Sequence, residues 1–157
     1  MTSVLLIDQT VKPLVLSPLH FTPCPFSSCP ALFLCMARVI ITVQRASGLW
    51  GDWFTSADGY VKVFINKQLW RSPVIYNNNN PHWAMVIDVG SHDVSSGQKV
   101  RFEVWDEDNK WDDDLLGACE RVLSTGVKQD FCNLNNGNLL SRHYKLFIAV
   151  SVSNSMA

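Results

Sequence analysis

The chain has 157 residues, of which 47% are hydrophobic, and this length and apolar content suit one domain with a substantial core. Its formal net charge of -1 provides no overall basic field of the kind that recruits nucleic acid, so we expect no nucleic-acid partner. One segment departs from this balance. Six of the nine residues from Asp106 to Asp114 are acidic, and only Lys110 opposes them.

Residues 1–36 are predicted to be a leader or poorly ordered extension, because they contain five of the seven prolines and show no steady periodicity. The apolar stretch from Leu14 to Ala37 is interrupted by prolines that cannot continue a helix, so we expect no transmembrane segment. The same stretch lacks a basic start and a clean apolar core, and a signal peptide is therefore not clearly recognisable. No role is assigned to Cys24, Cys29 and Cys35.

Residues 37–152 are predicted to form an all-β domain, followed by a tail at 153–157. Short β-rich runs alternate with Gly, Asn, Asp and Ser clusters, which is typical of an antiparallel sandwich. In the fifth run, Val100, Phe102 and Val104 share one face. Eight runs are predicted: Arg38–Arg45, Gly59–Asn66, Leu69–Tyr76, His82–Val89, Lys99–Asp106, Leu115–Val122, Val127–Leu134 and Arg142–Val152.

Two long loops between these runs combine acidic residues with tryptophan. Alternate side chains at the end of a strand point the same way, so Asp106 and Asp108 can share one ion while Glu107 points elsewhere. Asp52 and Asp58 can converge on the same place from the other loop. Calcium takes six to eight oxygen ligands in irregular geometry, so carboxylates on loops suit it. No histidine and cysteine cluster has zinc spacing.

The simpler interpretation of such a charge run is a solvated acidic face. Dense like charges repel one another and cost stability unless cations arrive. However, a solvated face is not usually paired with a second acidic loop about sixty residues away in sequence, nor does it usually have tryptophan beside the acids. These two observations favour a calcium site.

The order and spacing of four segments resemble the signature blocks of the C2 domain. They are Ser56–Val63, Asn80–Trp83, Val104–Asp108 and Asp114–Gly117. Further segments narrow the resemblance to the C2 domains of the perforin subfamily of pore-forming proteins: Gly48–Phe54, the asparagine run Asn77–Asn80, Asp112–Asp114 and Cys132–Asn135. The resemblance implies an eight-stranded antiparallel Greek-key sandwich of type II topology, with calcium loops at one end.

The resemblance also implies roles for individual residues. Five aspartates stand at ligand positions for several calcium ions, and Asp112 and Asp113 are auxiliary acids beside them. The five are Asp52, Asp58, Asp106, Asp108 and Asp114. The aromatic residues of the loops are predicted to touch lipid: Trp50, Trp53, Phe54 and Trp111. Cys119 and Cys132 are placed in consecutive strands, which permits a disulfide or two buried thiols, and the resemblance to a secreted subfamily favours the disulfide.

The function expected from these features is calcium-dependent binding to phospholipid membranes. The protein is expected to be secreted or held in a secretory granule, to bind membranes peripherally, and to associate with a pore-forming protein in cytolysis and immunity. The alternative is a secreted, calcium-stabilised protein-interaction module. An enzyme is not expected, because no serine, histidine and acid are placed credibly as a catalytic set.

Overall fold

The computed structural model describes residues 36–51, 55–108, 112–134 and 144–154. Within these ranges the chain forms eight strands and no helix. The strands are β1 (Met36–Ser47), β2 (Gly59–Ile65), β3 (Gln68–Arg71), β4 (His82–Asp93), β5 (Lys99–Asp106), β6 (Asp114–Val122), β7 (Gly126–Asn133) and β8 (Lys145–Asn154).

The strands form two four-stranded sheets. Sheet A has the order β4-β1-β8-β7 and sheet B the order β3-β2-β5-β6. Every pairing between neighbouring strands is antiparallel. The first strand lies between the fourth and the last, as the type II order requires. The predicted eight-stranded antiparallel Greek-key sandwich is therefore confirmed.

The core lies between the sheets and is built from alternate residues of each strand, because successive side chains of a strand point to opposite faces. On β5, Val100, Phe102 and Val104 are all 0% exposed, as the alternation predicts. On β1, alternate residues from Val39 to Val43 are also fully buried, and β1 thus supplies the centre of sheet A. Burial of these branched and aromatic side chains is the main stabilising contribution to the fold.

Some strand boundaries differ from those predicted. β3 ends at Arg71 rather than continuing to Tyr76, because the Ser72 hydroxyl, in place of a backbone carbonyl, accepts the Val61 N–H at 2.9 Å. β4 continues to Asp93, beyond a register shift beside Gly90, which has a φ of 83°. Glycine adopts this positive φ without steric cost, so the strand resumes after the irregularity.

A disulfide joins Cys119 on β6 to Cys132 on β7, with their Cα atoms 6.2 Å apart. β6 is an edge strand of sheet B and β7 an edge strand of sheet A. The bond therefore connects the two sheets along one side of the sandwich. Cys24, Cys29 and Cys35 lie outside the described residues.

The predicted division into leader, domain and tail stays a prediction, since most of the leader lies outside the described residues. Met36 already belongs to β1, and β8 continues to Asn154. Across the described ranges, no helix is long and apolar enough to cross a membrane.

Candidate functional site

Three connections meet at one end of the sandwich. Loop 1 (48–58) joins β1 to β2, loop 2 (72–81) joins β3 to β4, and loop 3 (107–113) joins β5 to β6. The Leu49 N–H donates to the carbonyl of Asn79 at 2.9 Å, and the Glu107 N–H donates to the carbonyl of Asp58 at 3.0 Å. Loop 1 is thus bonded to both of the other loops.

The asparagine run in loop 2 braces loop 1. Oδ1 of Asn79 accepts the Ala57 N–H at 2.9 Å, and Oδ1 of Asn80 accepts the Gly48 N–H at 3.1 Å. Asn77 has a φ of 52°, the left-handed conformation expected of such a turn. The bracing role was not predicted, because the partners of these amides are 22 and 32 residues away in sequence.

Asp58 and Asp106 lie side by side where loop 1 meets β5. Asp106 is only 5% exposed, and its Oδ1 accepts the Asp58 N–H at 2.5 Å. The Asp58 carboxylate accepts the Asn77 N–H at 2.6 Å. A Cβ atom added to Gly51 would lie 2.5 Å from Oδ2 of Asp106. Loop 1 therefore passes directly against the buried carboxylate, and a larger residue at position 51 would force one of the two to shift.

The aspartates of loop 3 differ in their surroundings. Asp108 and Asp113 are half-buried and line one open cavity together with Asp58, with a volume of about 990 Å³. Asp112 and Asp114 are exposed, and Asp114 pairs with Asp106 at the start of β6. The structure thus brings carboxylates from two loops to one cavity, with Asp106 beside it.

Glu107, which stands between Asp106 and Asp108 in sequence, contacts β3 and loop 2. Its carboxylate accepts Nη2 of Arg71 at 2.8 Å and the Tyr76 hydroxyl at 2.9 Å. Both partners line the same cavity, where it continues over the outer face of sheet B. Glu107 therefore belongs to an ion pair on that face.

Tyr60 connects this outer face to loop 3. Its hydroxyl donates to Oδ2 of Asp113 at 2.7 Å, and the Arg71 guanidinium lies 3.9 Å from its ring centroid. Burial, followed by the hydrogen bond to Asp113, raises the pKa of Tyr60 to about 12. The pKa of Tyr76 is also raised, first by its hydrogen bond to Glu107. Both phenols therefore keep their protons and act as donors at neutral pH.

Of the four aromatics predicted to touch lipid, the structure describes Trp50. It lies in loop 1 and is 43% exposed. The other three, Trp53, Phe54 and Trp111, lie outside the described residues, as does the predicted ligand Asp52.

Three tryptophans lie on strands: Trp70 on β3, Trp83 on β4 and Trp105 on β5. Trp70 and Trp83 pack against the core. Trp105 does not: it is half-buried on the outer face of sheet B, with the Lys62 ammonium 3.9 Å from its ring centroid. The alternation of β5 explains the difference, since Trp105 follows the inward-facing Val104.

The residues at the loop end fit a calcium ion by the chemistry of their donors. Asp58, Asp106, Asp108 and Asp113 offer only carboxylate oxygens, the ligands that this hard cation prefers. Among the described residues no three acidic, histidine or cysteine side chains are close enough to form a ready-made cage. Several of the carboxylates instead accept hydrogen bonds from neighbouring N–H and O–H groups.

Comparison with known proteins identifies the family. The family model of the C2 domain matches residues 37–146. The chain belongs to the C2 domain family. Homo sapiens perforin-1 is 42% identical to this C2 domain over 109 residues, which are 69% of this chain and 20% of perforin-1. The chain therefore spans about a fifth of the length of this curated relative. The predicted membership of the family and the likeness to perforin are both confirmed.

Solved structures agree with this fold. A structure described as that of a C2 domain is 31% identical, with a TM-score of 0.60, and the match covers 74% of this chain and 98% of that one. A calcium-bound structure of two C2 domains of extended synaptotagmin 2 is 23% identical, with a TM-score of 0.62 and coverage of 74% and 45%. The second similarity concerns the fold alone.

Proposed function

We propose that this C2 domain binds phospholipid membranes in a calcium-dependent manner through its three loops. The observation that supports the proposal is the convergence of Asp58, Asp106, Asp108 and Asp113 at one end of the sandwich, where loop 1 also exposes Trp50. The donors suit calcium and the aromatic suits a bilayer interface.

Charge explains why the binding would depend on a cation. The described part of loop 3 contains Glu107 and three aspartates, and Arg71 forms its ion pair with Glu107. A negatively charged loop end is repelled by anionic headgroups. When bound, calcium would supply positive charge and coordination positions for lipid phosphate oxygens.

The residues proposed to hold calcium are the seven aspartates predicted from the sequence. Asp106 would be well shielded from water, since it is 5% exposed. The full set is Asp52, Asp58, Asp106, Asp108, Asp112, Asp113 and Asp114. Several ions are proposed because seven carboxylates supply more oxygen ligands than one calcium ion binds.

The loop aromatics are proposed to insert into the interface between headgroups and acyl chains. Trp50 presents an apolar ring with one polar N–H, which suits this environment. Trp53, Phe54 and Trp111 are proposed to do the same. Peripheral binding follows, because burial of a few rings anchors a protein without crossing the bilayer.

The likeness to perforin-1 supports a more specific proposal. We propose a binding module, without catalytic activity, that is secreted or stored in secretory granules and serves cytolysis or immunity in association with a pore-forming protein. The match covers about a fifth of perforin-1, so pore formation is not proposed for this chain alone.

The test is co-sedimentation of the full chain with vesicles of phosphatidylcholine and phosphatidylserine, in calcium or in chelator. We expect sedimentation in calcium alone. Asp106→Asn with Asp108→Asn should reduce it to the chelator level, because two carboxylate ligands lose their charge. Asp130→Asn is the matched control, since Asp130 lies on β7 and pairs with Arg121.

Equal sedimentation in calcium and chelator would contradict the proposal. A Trp50→Ala, Trp111→Ala variant that kept full lipid affinity would contradict insertion but not calcium dependence. Calorimetric calcium binding without vesicle binding would instead favour the alternative, a calcium-stabilised protein-interaction module.

A further inference from the structure

The three consecutive aspartates at 112–114 have identical side chains but different surroundings in the structure. Asp112 and Asp114 are exposed, whereas Asp113 is half-buried and lines the cavity with Asp58 and Asp108. One bond distinguishes Asp113: its Oδ2 accepts the Tyr60 hydroxyl at 2.7 Å. This contact joins β2 to loop 3 across 53 residues of sequence.

The Tyr60 side chain is held firmly on the face that it occupies. It is 1% exposed although it lies on the outer side of sheet B, away from the core cluster. The Arg71 guanidinium covers its ring at 3.9 Å. Arg71 is itself fixed by Glu107 at 2.8 Å, and Glu107 also accepts the Tyr76 hydroxyl at 2.9 Å.

These contacts restrict where the Tyr60 hydroxyl can point. Glu107 is further tied to loop 1, because its N–H donates to the Asp58 carbonyl at 3.0 Å. The ring thus rests against a set of groups that loops 1, 2 and 3 fix jointly. A donor on so restricted a ring can orient a carboxylate more narrowly than a mobile surface side chain can.

The arrangement leaves Asp113 able to act as a ligand. A carboxylate has two oxygens and about four lone-pair sites, so a hydrogen bond at Oδ2 leaves Oδ1 available. Hydrogen bonds from outer groups to ligating carboxylates orient them and raise metal affinity. Asp113 therefore has a dedicated orienting partner, and among the described residues no phenol plays this part for the exposed Asp112.

We propose that Tyr60 is a positioning residue for cation binding: its hydroxyl selects Asp113 from the acidic triplet and holds it toward the cavity shared with Asp58 and Asp108. The inference rests on the proposed calcium-binding function. It makes Asp113 a principal ligand, whereas the sequence resemblance gave it only an auxiliary role.

The test uses Tyr60→Phe, which removes the hydroxyl and keeps the ring. Calcium titration calorimetry of the full chain, without lipid, should show about tenfold weaker binding at the affected site, the lower end of the usual effect of losing an outer-shell partner. Tyr76→Phe is the matched control, because it removes a phenolic hydroxyl from the same cavity that bonds Glu107 instead. Its calcium affinity should fall less than that of Tyr60→Phe, because Arg71 still holds Glu107 and the Tyr60–Asp113 bond remains.

Two further measurements separate positioning from a general loss of structure. In the Asp113→Asn background, Tyr60→Phe should cause no additional loss of affinity, since the oriented carboxylate is already gone. In calcium-free protein, amide hydrogen exchange at 112–116 should be faster in Tyr60→Phe than in Tyr76→Phe.

The outcomes distinguish this inference from the proposed function. Wild-type protein that binds no calcium would overturn both. Normal calcium binding by wild type and by Tyr60→Phe would overturn the inference alone. Additive losses with Asp113→Asn, or unchanged hydrogen exchange at 112–116, would likewise show that Tyr60 does not act through Asp113.

Discussion

The interior of the sandwich and its loop end are built on different principles. The interior consists of apolar side chains such as Val43 and Phe102, which are 0% exposed and pack without directional bonds. At the loop end, hydrogen bonds from backbone N–H groups to Asp58, Asp106 and Asn79 determine the arrangement. We infer that burial of apolar side chains stabilises the domain, whereas hydrogen bonds position its carboxylates.

The interior and the loop end should therefore contribute differently to folding stability and to ion binding. Clustered carboxylates repel one another, so the loop end contributes little favourable free energy until a cation is bound. We therefore expect changes in the interior to lower stability while leaving ion affinity intact in the folded protein. Changes at the loop end should weaken ion binding and should lower stability by less than the loss of a large interior side chain does. Four predictions test this comparison.

The largest effect is expected from Phe102→Ala, which leaves a cavity at the centre of the interior. The free energy of unfolding should fall by about 3–5 kcal/mol in urea denaturation. Phe64→Ala is the matched control, because Phe64 is half-buried and sits opposite Arg101 in the β2–β5 ladder. Equal losses in the two variants would contradict the assignment of stability to the interior.

The disulfide should contribute next. Cys119→Ala with Cys132→Ala removes a cross-link between residues 13 apart, which should lower the free energy of unfolding by about 3 kcal/mol. Calcium affinity should not change, since Cys119 pairs with Phe102 in the middle of β5, whereas the loop end of that ladder is at Asp106. A reducing agent should destabilise the wild type and leave this variant unaffected. Sensitivity of the variant to the reducing agent would assign the effect to other cysteines.

Gly51→Ala tests the loop end. The new methyl group would lie 2.5 Å from Oδ2 of Asp106 and 3.1 Å from Cα of Ala57, so either loop 1 or the Asp106 carboxylate must shift. We expect a loss of about 1–3 kcal/mol in unfolding free energy, as for overpacked sites, together with weaker calcium binding by calorimetry. Val127→Ala, an exposed change on β7, is the control. Calcium binding by Gly51→Ala equal to that of Val127→Ala would contradict a role of this close approach in ion binding.

The smallest effect is expected from an exposed ion pair on sheet A, between Arg38 and Asp88. The hydrogen bond from Arg38 lowers the pKa of Asp88 below its usual value of 3.8. The stabilisation is therefore present above that usual value and is lost as pH falls through the lower pKa of the folded state. The melting temperature of Asp88→Asn should lie slightly below that of the wild type at about pH 7, and the difference should shrink as the pH falls below 3.8. A difference that persists in acid would assign the effect to something other than this charge.

Much of the fold was predictable from local patterns. The alternation of β5 placed Val100, Phe102 and Val104 in the core, because strand geometry has a period of two residues. Strand ends were less predictable: β3 stops before Pro73, and β4 continues past Gly90. Partners in the neighbouring strand decide such ends, and sequence periodicity does not report them.

The candidate site was predictable in composition but not in arrangement. The acidic segments and their spacing indicated carboxylate ligands at Asp58, Asp106 and Asp108, and the structure places these at one end. The asparagine brace, the Glu107–Arg71 pair and the Tyr60–Asp113 bond had no signal in the sequence. Each of these contacts joins groups at least 22 residues apart in the chain.

By itself, the sequence determined the fold class, the family and the chemistry of the donors, because these follow from strand periodicity, turn residues and motif order. Only the tertiary structure decided which acids are buried, which face one cavity and which neighbours orient them. The physical reason is that a hydrogen bond depends on distance and direction to its partner, and pairing of distant strands sets both. Asp112, Asp113 and Asp114 illustrate this: three identical side chains in sequence acquire three different surroundings in the fold.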